Sequence, residues 1–63
     1  MTKNQASQAL RLRGLSWGSD HWQCVEALAG AMFAQSLYRR NSAWSTWDKC
    51  WTAAEALVAK WGQ

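Results

Sequence analysis

Between Trp44 and Trp61, large and small apolar residues recur at Trp44, Trp47, Trp51, Ala54, Val58 and Trp61, in steps of three, four, three, four and three. That spacing is the seam of an α-helix pressed along its length against another helix. Ala43, Cys50 and Leu57, one column over, widen the seam into a broad apolar face. Four of the chain's six tryptophans lie in this stretch. Such a face constrains an architecture and names no chemistry.

The chain has 63 residues, room for one small domain over 1–63. A chain of this size buries only about 60% of the surface its unfolded form exposes, so it needs a staple or a partner. Two cysteines, Cys24 and Cys50, offer at most one disulfide, and the polar start Met1-Thr2-Lys3-Asn4-Gln5 does not read as a secretory signal. The expectation is a cytoplasmic chain with reduced thiols. Glu26 and Gln35 interrupt the best apolar run, so no membrane span is expected. Association between copies is the staple that is left.

Residues 1–8 are polar and predict a frayed end. From 9 to 17 two patterns compete. Leu10, Leu12, Leu15 and Trp17 fit a short helix over about 5–13 ended by Gly14, whereas Leu10-Arg11-Leu12-Arg13 also alternates like a strand. The helix formers from Gln5 to Arg11 favour the helix. Ser16 to Asp20 is a turn, with Asp20 as N-cap and Gln23 placed to complete a capping box.

A second helix follows over about 20–40, with Trp22, Val25, Ala29, Met32, Phe33, Ser36 and Leu37 as its core stripe and Leu28 on the flank. Its back, Ala27, Gly30, Ala31, Ala34 and Tyr38, is either a solvated face of good helix formers or a flat strip for close approach of another helix. Arg39 and Arg40 suit the negative helix end, and Asn41-Ser42 breaks the chain. The third helix is expected over about 43–61 and ends at Gly62; Ser45-Thr46-Trp47-Asp48 offers a competing start. The fold class is all-α: an antiparallel helical hairpin with a short N-terminal helix or arm.

One facing helix cannot cover so wide a face, because each buried indole removes roughly 150–250 Å² from water. A homodimer is therefore expected, two hairpins forming a four-helix bundle. Its interface and core would be Trp22, Val25, Ala29, Met32, Phe33, Trp44, Trp47, Trp51, Val58 and Trp61. Trp17, off the seam and in a turn, is expected to be exposed.

Chemistry is hard to find in this pattern. His21 and Cys24 are three apart near a helix start that would favour a thiolate, yet Cys50 and scattered carboxylates are the only other metal ligands. Asp20 and Asp48 read as caps or first-turn charges, Glu26 and Glu55 as solubilising ones. Neither a phosphate-binding glycine loop nor a nucleophile–base set is present, so the expectation is no enzyme, no cofactor and no metal. A Cys24–Cys50 bridge within one chain would have to span an offset of about 12 Å along the hairpin, beyond the ~7 Å limit between α-carbons. A bridge between protomers stays open.

The net charge of +3 permits an acidic or nucleic-acid partner. Arg11, Arg13, Arg39 and Arg40, with Trp17, are the candidate contacts. Were 9–13 a strand, the chain would resemble a ribbon–helix–helix repressor, although its helices are long for that family and its turn lacks the usual glycine. Tryptophan beside cations also resembles membrane-active peptides, but lysine is sparse here and acids are present. In size, in its Met1–Gln5 start and in the segment Trp44 to Trp51, the chain is similar to the very short early-region proteins of lambdoid temperate phages. That resemblance implies a non-enzymatic accessory protein acting on the lysis–lysogeny decision or host physiology through a host or phage regulatory protein. It carries over no site residues.

Overall fold

The computed structural model describes residues 1–39 and 46–62, with the backbone alone for 37–39. It is all-helical: α1 Lys3–Leu12, α2 His21–Arg39 and α3 Trp47–Trp61. Among the described residues there is no strand, so 9–12 belong to a helix and the ribbon pattern is not the one adopted.

The N-terminus is not frayed. Thr2 Oγ1 accepts the Gln5 amide at 3.2 Å, and Gln5 Oε1 accepts the Thr2 amide at 3.0 Å. This reciprocal capping box starts α1 at Lys3 and satisfies two otherwise orphaned donors. At the other end Gly14 takes φ +71, the left-handed conformation that costs a Cβ-bearing residue about 1–2 kcal/mol. Its amide donates to the Arg11 carbonyl at 2.9 Å and that of Leu15 to the Leu10 carbonyl at 2.9 Å, a complete Schellman ending.

Asp20 caps α2 as the sequence indicates, its Oδ2 accepting the amides of Trp22 at 3.1 Å and Gln23 at 3.2 Å. The start of α3 differs from the expected one near 43. Thr46 is extended (φ −129, ψ 158) and its side chain accepts the Lys49 amide at 3.2 Å. An N-cap there stops any helix running through from 43, so the competing start prevails and the seam on α3 begins at Trp47. Residues 40–45, with Arg40 and Trp44, lie outside the described residues.

One core joins all three helices: Ala6 and Leu10 from α1, Val25, Leu28, Ala29 and Met32 from α2, and Cys50, Ala54 and Val58 from α3. The buried column of α3 is therefore made of small residues, which let it lie close along α2. Trp47 and Trp61 are the first and last residues of α3, at the two ends of that column. At about 100° per residue both fall within the arc of Cys50, Ala54 and Val58, and Trp51 stands just outside it, beside Val58.

Three expectations are corrected by the way α1 covers α2. Leu28, expected on the flank, is wholly buried. Trp22, expected in the core stripe, keeps 56% of its surface. Trp17, expected to be exposed, is half-buried: its Nε1 donates to Ser7 Oγ at 2.9 Å and its ring meets Trp61 edge-on at 6.2 Å. The alanine back of α2 serves as an approach strip for the chain's own α1. Ala27 is buried and a Cβ on Gly30 would stand 3.0 Å from the Arg13 guanidinium, while Ala34 stays exposed.

Candidate interaction surface

The flank of α2 and α3 that α1 leaves uncovered carries a continuous run of rings. Phe33 meets Trp47 edge-on with centroids 5.9 Å apart, Trp47 tilts against Trp51 at 6.1 Å, and Trp51 stacks on Trp22 at 6.1 Å with planes 14° apart. His21 closes the row with its edge on Trp22 at 4.6 Å. Trp22 and Trp47 are 56% and 42% exposed; Phe33 and Trp51 are half-buried. Helical repeat explains the grouping: Trp22 and Phe33 are 11 residues apart, about three turns, and Trp47 and Trp51 are neighbours one turn apart.

Carboxylates share this stripe. Glu26 is exposed one turn beyond Trp22, and Glu55 is half-buried one turn beyond Trp51. The ridge is thus aromatic along its length and acidic at its margin.

Of the other residues named for an interface, Val25, Ala29, Met32 and Val58 are covered within one chain. Trp61 is half-buried against Trp17, at the C-terminal end of α3. Of the candidate cationic contacts, Arg11 and Arg13 are exposed where α1 ends; the Arg39 side chain is outside the description. Between them Leu12 keeps 81% of its surface, which the sequence reading missed. The signal was available: in a helix Leu12 is about 200° from Leu10 and cannot share its buried face. Beside Leu12 a shallow groove of about 300 Å³ runs between α1 and α2, floored by Ala27, Gly30, Ala31 and Ala34.

His21 and Cys24 do not assemble into a reactive pair. The Cys24 thiol is buried and points back to the preceding turn, 3.3 Å from the Ser16 carbonyl and 3.9 Å from that of Ser19. Desolvation, and secondly the Asp20 charge, push its pKa above the ordinary value, opposite to the thiolate that a helix start alone would favour. Desolvation likewise raises that of Cys50. Cys24 is a thiol, so the Cys24–Cys50 bridge is not formed. Among the described residues no group of three or more His, Cys, Asp or Glu side chains could hold a metal ion, and no helix is long and apolar enough to cross a membrane. No protein-family model, curated protein or solved structure matches the chain.

Proposed function

We propose that this protein is a non-enzymatic interaction module that self-associates through the ring ridge of α2 and α3. The exposure of Trp22 and Trp47 within one continuous run of rings carries this reading. Contiguous exposed aromatic surface is the usual mark of an association site, and tryptophan leads the residues that dominate binding energy at such sites. In this reading α2 and α3 form an antiparallel hairpin, and two hairpins pair as a homodimer. The dimer then presents its outer surface to a host or phage regulatory protein, in the accessory role that the lambdoid early-region resemblance implies.

Light scattering on the full chain at micromolar concentration is expected to give the mass of two copies. Replacing Trp22 and Trp47 together with serine (W22S/W47S) is expected to give one copy with helical circular dichroism retained. A monomeric wild type, or a dimer that survives both substitutions, would overturn the proposal. Binding of generic duplex DNA at low salt, lost steeply as salt rises, would favour the competing reading of a DNA-binding regulator.

A further inference from the structure

Before residue 20 the charged side chains are all basic, and beyond it acids and bases are mixed, with Arg39, Arg40, Lys49 and Lys60 among the four acids. Lys3, Arg11 and Arg13 are the only charged side chains before residue 20, whereas all four acids, Asp20, Glu26, Asp48 and Glu55, belong to α2, α3 or their caps. The end of α1 is therefore a cationic tip with Leu12 at its centre, and the ridge is an aromatic surface with carboxylates at its margin. Leu12, Trp22 and Trp47 are the large apolar side chains left exposed among the described residues. Two surfaces of opposite charge, each incomplete, account for all three.

We infer that the Arg11–Leu12–Arg13 tip of one copy seats on the carboxylate-edged ridge of a second copy, reciprocally about a two-fold axis. This rests on the proposed self-association and specifies which surfaces meet. Ridge against ridge would bring Glu26 and Glu55 of both copies together, four carboxylates in a contact from which water is being removed, and like charges there are unfavourable. Tip against ridge instead places guanidinium groups over indole faces and beside carboxylates, where cation–π attraction and ion pairing act together. Leu12 loses its exposed surface against the same rings.

Geometry and area both favour a reciprocal contact. The Arg13 guanidinium lies over Gly30, a residue one turn from both Glu26 and Phe33 on α2, so the Arg13 side of the tip borders the ridge, while Leu12 lines the groove at Ala31. Adjacent complementary patches are what a two-fold interface requires, since each copy then gives its tip and receives the other's. A one-way contact would leave a tip and a ridge open at the ends and would propagate into a chain. It would also use half the surface, and a stable pair needs roughly 800 Å² per partner.

A charge swap tests this on the full chain. R11E/R13E and E26R/E55R each change exposed or half-buried side chains, so helical circular dichroism is expected to persist. Each alone is expected to weaken self-association at least about tenfold, the ~1.4 kcal/mol of one or two exposed ion pairs lost from an interface. Mixed in equal amounts, the two are expected to recover the mass of a pair, because acidic tip then meets basic ridge and the converse. Raising salt from about 50 to 500 mM is expected to weaken the wild-type pair. Reversals without effect, a mixture that stays monomeric, or a wild-type pair that tightens with salt would overturn the inference. If W22S/W47S then still gave monomers, self-association through the ridge would stand and the tip would not be its occupant.

Discussion

Two groups of indoles in this protein face opposite fates. At one end Trp17 and Trp61 meet edge-on, and Trp17 Nε1 donates to Ser7 on α1, so one ring ties the turn to two helices. Along the ridge Trp22 stacks on Trp51 and Trp47 tilts against it, and Trp22 and Trp47 still give much of their surface to solvent. The residue type is the same and the role differs. An indole is a large apolar body with one polar atom; where the fold supplies an acceptor and a cover it staples, and where it supplies only another ring it stays open to a partner.

That contrast can be broken most sharply by truncating one ring from each group. Trp17→Ala removes a half-buried ring and leaves Ser7 without its donor, and is expected to cost about 3 kcal/mol in urea unfolding followed by circular dichroism. The closed end also depends on how α1 stops. Gly14→Ala forces a Cβ into the left-handed region and is expected to lower stability by about 1–2 kcal/mol in the same measurement.

A smaller effect separates the core from the ridge by pH. Both buried thiols have pKa values raised above the ordinary 9.0, so the folded state prefers them protonated. Stability is then fully present below about pH 9 and falls as pH rises beyond it, because the unfolded chain releases those protons first. Thermal unfolding at pH 7, 9 and 10 checks the sign; C24A/C50A should flatten the trend, and W22S should leave it. Smallest is the effect of Trp22→Ser on folding itself, expected within about 0.5 kcal/mol although it weakens association. A large loss of stability there would show that the ridge supports the fold and would remove the contrast.

Much of the fold was legible in the sequence because helices announce their periods and their ends locally. Asp20 and Gly14 read correctly as stops and starts, and Gly62 closes α3. Val25, Ala29, Met32 and Val58 were recognisable as core from spacing alone. The Thr2–Gln5 capping box was equally local, but the polarity of the first eight residues masked it. For α3 the tryptophan period argued for an earlier start, and Thr46 overrode it, since a cap bonds a specific amide while a period only ranks faces.

The candidate surface was less legible. A hydrophobic stripe gives the width of a face and not which edge another element covers. Leu28 and Trp22 lie on two edges of one stripe on α2; α1 lands beside the first and leaves the second open. Trp17 looked exposed because a turn has no period to read, and its acceptor is ten residues away on another helix. Leu12 is the exception, since its spacing of about 200° from Leu10 within a helix already takes it off the buried face.

The sequence by itself therefore determined the two long helices, favoured a third over a strand, and fixed the ends at Gly14, Asp20 and Gly62, all of which follow from contacts within about four residues. The tertiary structure decided which indoles close the core and which form the ridge, and it brought the cationic end of α1 beside the ridge margin. Those outcomes depend on how helices of different side-chain volume settle against one another. Small residues at Cys50, Ala54 and Val58 fill the middle of the α3 contact, and the exposure of each ring follows from which neighbouring element reaches it.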